Sequence, residues 1–197
     1  MSQAGLVLEV QKPSKWLHDE SGLVRIGLGG ISGTIEAGET PVAALSREAL
    51  QEIGCPVHIA NASHTIEVDP DGIAGERDWP GEPRPIMIWE SGDPGRFKGR
   101  KVAVYFGQIL GVPRPVDLPA VITMSFEAML TLGSTTASIE DLIGAGALLK
   151  EREPIPRKAK VMPVGTILVL CGLRTNYPHL VEKIAAEAAD LQSIGAE

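Results

Sequence analysis

Residues 40–54, TPVAALSREALQEIG, limit the fold more than any other stretch of the chain. Thr40 can cap a helix N-terminus, Pro41 sits at the first helical position where its missing N–H costs nothing, and Gly54 can close the helix in a left-handed conformation. The pattern predicts a helix from Thr40 to Ile53. At about 100° per residue, Val42, Leu45, Ala49 and Ile53 share one side, a stripe suited to packing on a sheet. Glu48 and Glu52 lie one turn apart at the edge of that stripe. Arg47 and Gln51 form a neighbouring ridge.

Strand-like runs surround this helix. Leu6–Val10 and Gly22–Leu28 flank a polar turn at His18–Gly22, which suggests a hairpin. Val57–Val68, Pro85–Trp89, Val102–Phe106 and Ala120–Met124 read as further strands. A short helix is expected from Phe126. A capping box at Ser138–Asp141 predicts a helix to Leu149, and a last helix is expected from Pro178 to Gln192. Strands with helices between and after them indicate an α/β or α+β chain, and 197 residues suit a single domain.

The stretch GLGGISG, residues 27–33, follows a strand and invites comparison with a dinucleotide-binding turn. Its third glycine is displaced by one place, and the helix waits until Thr40. A dinucleotide fold needs the helix to open at the glycines, so that reading is rejected.

Two carboxylates at i and i+4 repel by roughly 0.2–0.5 kcal/mol on an open helix. On an arbitrary helix such a pair is a solvated surface feature. Beside an apolar stripe the repulsion grows, and a divalent cation relieves it. Oxygen donors suit Mg²⁺ or Mn²⁺, with water and substrate phosphate completing the shell.

The longer stretch GTIEAGETPVAALSREALQEIGC, residues 33–55, resembles the Nudix box. Gly33, Glu39, Arg47, Glu48, Glu52 and Gly54 match that pattern in register. The departures are Gln51, where the pattern has a glutamate, and Ala49 and Cys55 at its two aliphatic positions. The resemblance implies an α/β/α sandwich around a mixed β-sheet, with residues 151–197 as a C-terminal extension packed on the domain. It implies metal-dependent hydrolysis of a nucleoside diphosphate linked to another moiety, by attack of water at phosphorus. On that reading Glu48 and Glu52 bind Mg²⁺ or Mn²⁺, and Glu48 also helps to activate water. The Ser32 carbonyl and the Gln51 side chain are further candidate ligands. Arg47 pairs with Glu39 and fixes the helix against its preceding loop, while Gly33 and Gly54 serve the backbone. A Nudix-fold module that binds a nucleotide without cleaving it is the alternative, which Gln51 keeps open. Family habit also suggests a homodimer.

A net charge of −7 disfavours polymeric nucleic acid as a partner, though not a small nucleotide substrate. Cys55 and Cys171 lack metal-ligand spacing and read as buried residues of a reducing compartment. The N-terminus lacks signal-peptide blocks, and the apolar run Val161–Leu173 is too short to span a bilayer, so a soluble cytoplasmic protein is expected. Arg96, Lys98, Arg100 and Lys101 read as a solvated hairpin tip. Trp16, Trp79 and Trp89 read as core or rim. His18, His58, His64 and His179 receive no role, nor do Asp117 and Glu127, the acids beyond the box.

Overall fold

The computed structural model describes residues 5–91 and 99–194. Strand β1 (Leu6–Val10) leads through a 3₁₀ turn at Pro13–Lys15 to β2 (Leu17–His18) and β3 (Val24–Gly29). Helix α1 (Pro41–Ile53) follows. Next come β4 (Val57–Ile59), β5 (Thr65–Val68), β6 (Ala74–Arg77), β7 (Met87–Glu90), β8 (Lys101–Val104) and β9 (Gly107–Ile109). The chain continues with β10 (Ala120–Met124), α2 (Phe126–Thr131), α3 (Ile139–Gly144), β11 (Leu148–Glu151), β12 (Lys160–Pro163), α4 (Thr166–Asn176) and α5 (Pro178–Ile194). The fold is α+β. It divides into two compact units, one of residues up to 56 and 109–171, the other of 57–108 and 172 onward. Residues 151–171 therefore belong to the first unit and the rest of the C-terminal segment to the second.

The first unit is built on a sheet of order β11-β10-β1-β3-β12, with β2 also paired to β3. Strand β1 runs antiparallel to β10 and β3, whereas β12 runs parallel to β3. Leu8 and Val10 alternate with Glu9, and Ile26 and Leu28 are fully buried, as are Ala120 and Ile122 of β10. The polar turn before β3 is held by Asp19, whose Oδ1 accepts from the N–H groups of Ser21 and Leu23 at 2.9 Å each.

Helix α1 forms as its sequence dictates. Thr40 Oγ1 accepts from Ala43 N–H at 3.2 Å, and Gly54 takes the left-handed conformation, φ 64°. The carbonyls of Gln51, Glu52 and Ile53 accept from the N–H groups of Asp117, Val116 and Arg114 at 3.1, 2.9 and 2.9 Å. A strap 60 residues downstream thus occupies acceptors that a helix C-terminus leaves open. The buried face differs from the expected stripe. It comprises Ala44, Ala49, Glu52 and Ile53, with Val42 and Leu45 only half-buried. The Glu52 carboxylate is part of the buried face, not at its edge.

In the second unit, β5 lies between antiparallel β6 and parallel β7, and β7 pairs antiparallel with β8; β4 and β9 form a separate ladder. Asp69 repeats the Asp19 turn: its Oδ1 accepts from Asp71 and Ile73 N–H, and Gly72 has φ 81°.

Several expected boundaries shift. The run Val57–Val68 is two strands, broken where Asn61 Oδ1 accepts from Arg84 N–H at 2.6 Å. The helix from Ser138 ends at Gly144 rather than Leu149, because Gly146 adopts φ 99° and the chain turns into β11 to pair with β10. The apolar run Val161–Leu173 holds the end of β12, a left-handed Gly165 and the start of α4. Strands β6 and β9 were not anticipated. Cys55 and Cys171 are buried and form no disulfide. Among the described residues, no helix is long and apolar enough to cross a membrane.

Candidate active site

The glycine-rich turn is shaped around polar side chains. A Cβ on Gly27 would overlap Gln11 Oε1, one on Gly33 would overlap the carboxylate and Cγ of Glu48, and one on Gly29 would lie 2.8 Å from Glu9 Oε1. Only at Gly30 within this turn is the space open. Residues 29–33 therefore receive three carboxylates: Glu9 from the neighbouring strand, and Glu48 and Glu52 from α1. Glu52 Oε2 accepts from Ser32 N–H at 3.3 Å.

Arg47 organises the loop between β3 and α1. Its Nε and Nη2 donate to the two Glu39 oxygens at 3.0 Å each, a bidentate pair. Nη2 also donates to the Thr34 carbonyl at 3.0 Å, and Nη1 to Glu48 Oε1 at 2.5 Å. Glu39 further accepts from Glu36 N–H at 3.0 Å. The Arg47 guanidinium, followed by that N–H, holds the Glu39 carboxyl below its ordinary range. The same bonds to Glu39 and Glu48 raise the pKa of Arg47. The expected Arg47–Glu39 pair is present.

Glu52 carries the opposite strain. Burial pushes its pKa up to about 8, the charge of Glu9 adds to this, and the Ser32 N–H acts against it; Glu48 contributes a further, smaller rise. Glu9 is also raised, by burial first, with Lys15 and then Lys12 opposing. The charges of the turn are thus only partly compensated.

These donors fit a hard dication. They are carboxylate oxygens brought to one short turn from β1 and α1, a donor chemistry that suits a partly hydrated Mg²⁺ or Mn²⁺ better than a thiolate- or imidazole-seeking metal. They do not form a closed cage: among the described residues, no three His, Cys, Asp or Glu side chains are gathered into a metal-holding group. Gln51 is exposed, with Oε1 3.4 Å from Arg47 Nη1. Ser32 meets the site through its N–H.

Sequence reasoning missed Glu9. The available signal was a glutamate inside the apolar strand LVLEV, beside a strand that carries glycine at the paired position, Glu9↔Gly29. The acids considered beyond the box lie differently. Asp117 accepts from Lys12 Nζ at 2.7 Å, which holds its pKa down, and Glu127 is exposed in the first turn of α2.

The second unit contains a cleft of about 250 Å³ lined by Ser63, His64, Glu76, Arg77, Asp78 and Arg84. His64, which has no role expected from the sequence, has Nδ1 2.8 Å from Ser63 Oγ, and Ser63 N–H donates to Glu187 at 2.7 Å. Of the basic cluster, Arg96 and Lys98 lie outside the described residues, and Lys101 Nζ is 3.5 Å from Glu67. Trp16, Trp79 and Trp89 are each half-buried, and Trp16 Nε1 donates to the Gln11 carbonyl at 2.7 Å.

Compared with known proteins, the chain matches no family model, no curated protein and no solved structure.

Proposed function

We propose that this chain is a divalent-metal-dependent hydrolase of the Nudix type, acting on a nucleoside diphosphate linked to another small moiety. The observation that carries this reading is the fit of Glu48 into the space left by Gly33, beside buried Glu52 and an Arg47–Glu39 clamp. These are the positions at which residues 33–55 resemble the Nudix box.

In this mechanism Glu48 and Glu52 would hold Mg²⁺ or Mn²⁺; the Ser32 carbonyl and Gln51, the further ligands the resemblance implies, have no such placement, since Ser32 turns its N–H to Glu52 and Gln51 is exposed. The bound ion would supply charge for the phosphate oxygens and acidify a water molecule. Arg47 keeps α1 fixed to the preceding loop and orients Glu48 through Nη1. Glu48 Oε2, the oxygen not bonded to Arg47, would accept a proton from the attacking water. Two buried cysteines outside any disulfide accord with a cytoplasmic protein, and two copies per assembly is the oligomeric state proposed.

The test is a panel of nucleotide substrates with Mg²⁺ or Mn²⁺, read by mass spectrometry of both products. Release of a nucleotide and a phosphorylated partner is expected, and Glu52→Gln should lower turnover by about a hundredfold or more while the circular dichroism is kept. No product across the panel sinks the reading. Exposed Gln51, which brings no charge, favours a second reading, a nucleotide-binding module without hydrolysis. A rise in melting temperature with nucleotide, and no product, would select it.

A further inference from the structure

We propose that the cleft of the second unit binds a small zwitterion of the amino-acid class, its carboxylate on the Arg84 guanidinium and its ammonium on Asp78. This ligand is distinct from the nucleotide substrate, and the proposal does not depend on the hydrolase reading.

Most polar groups around the cleft are committed within the protein. Ser63 Oγ and Ser63 N–H both donate to Glu187 Oε1, the N–H at 2.7 Å. An ionised carboxylate only accepts, so the hydroxyl proton is spent there. His64 Nδ1, 2.8 Å from the same hydroxyl oxygen, is then the nitrogen that donates to it. His64 Nε2 is buried and has no partner among the described residues, so it offers no contact to a ligand in the open cleft. Arg77 Nη1 is held by both Glu67 oxygens, and Glu76 by Lys183.

Two charges remain. Arg84 is half-buried, with its backbone N–H on Asn61 Oδ1 at 2.6 Å and its Nη1 on the Ser63 carbonyl at 2.5 Å. Among the described residues, no carboxylate pairs with it. Its Nε–Nη2 edge is the edge by which Arg47, in the first unit, holds Glu39 at 3.0 Å from each nitrogen. A guanidinium fixed by a backbone carbonyl, partly desolvated and uncommitted along that edge is suited to a carboxylate brought by a ligand. Asp78 lines the same cleft, directly after the last residue of β6, and has no hydrogen bond or ion pair among the described residues. A cation and an anion that share a cleft without pairing match a ligand carrying both charges.

Size and lining select the class. Sites for drug-sized ligands enclose roughly 300–1,000 Å³. A volume of about 250 Å³ is below that range and too small for a nucleotide. All six lining side chains are polar or charged, so a large apolar substituent would find no cover there.

The experiment is calorimetric titration of the full chain, without metal, with glycine, L-alanine, L-serine and β-alanine. Acetate and methylamine, which carry one charge each, are the controls. At least one amino acid should bind about tenfold or more tightly than either control. Asp78→Asn should weaken that binding by about tenfold and leave the melting temperature unchanged, because Asp78 is exposed. Arg84→Lys, which keeps the charge and loses the fork, should weaken it by a similar factor, about tenfold. Should that variant not fold, the Arg84 Nε–H resonance of the unaltered protein should shift as the amino acid is added. Binding by none of the four, acetate binding as tightly as they do, an affinity untouched by Asp78→Asn, or an unmoved Arg84 resonance would each overturn the proposal.

Discussion

Two pairs of acidic residues, one pair in each unit, live under opposite conditions. In the second unit two are matched by basic side chains: Arg77 Nη1 donates to both Glu67 oxygens at 2.5 and 2.6 Å, and Lys183 donates to Glu76. Both carboxyls are held below their ordinary range by those partners. At the glycine-rich turn of the first unit, Glu9 and Glu52 are raised, by burial before anything else. The second arrangement satisfies itself and asks nothing of a ligand. The first places carboxyls where burial disfavours their charged form.

The sharpest way to break this contrast is at the glycines. Gly33→Ala should lower unfolding free energy by about 3 kcal/mol, because the new methyl competes with Glu48 for one space. Gly30→Ala, where nothing lies nearby, should be almost silent, and urea denaturation of the two variants compares them directly.

A smaller effect is expected from pH. In the unfolded chain Glu52 titrates near 4.5, and in the fold near 8. Between those values the folded protein keeps a proton that the unfolded chain has released. Stability of the metal-free protein should therefore fall as pH rises through this window; the full shift corresponds to about 5 kcal/mol, which solvent reaching the carboxyl reduces to on the order of 2 kcal/mol. Glu52→Gln should flatten the profile, and saturating Mn²⁺ should do the same; a profile unchanged by either would remove the contrast.

Thr40→Ala, which deletes the N-cap of α1, should cost about 1 kcal/mol in thermal or chemical unfolding. Smallest of all is Glu67→Gln. Its partner Arg77 is half-exposed, solvent screens the pair, and the loss should be roughly 0.5 kcal/mol or less. A loss as large as that at Gly33 would show that the second unit's acids are not mere surface matches.

Helix α1 was legible from its own residues because every determinant is local: a hydroxyl at one end, a glycine at the other, and apolar spacing between. The Arg47–Glu39 pair was legible for a different reason, the resemblance of residues 33–55. What escaped was decided by distant pairing. Strand β6, AGER, has no strand-forming residues and exists because β5 lies beside it. Strand β11 was read as the end of a helix until β10 claimed it. Glu9 belongs to the same class, since its meaning depends on Gly29, brought opposite by the sheet. The burial of Glu52 was likewise invisible on a helical wheel, which shows which residues share a side but not how far the neighbouring chain covers it.

The strap at Arg114–Asp117 has a consequence in time. Its amides donate to the last carbonyls of α1, so those protons are released only when the strap lifts from the helix. The C-terminal turn of α1, which carries Glu52, should exchange hydrogen with solvent as one unit with residues 114, 116 and 117. The opposite end, tied by the single hydroxyl of Thr40, should exchange faster. The slow end of this helix is the end that carries the buried carboxylate.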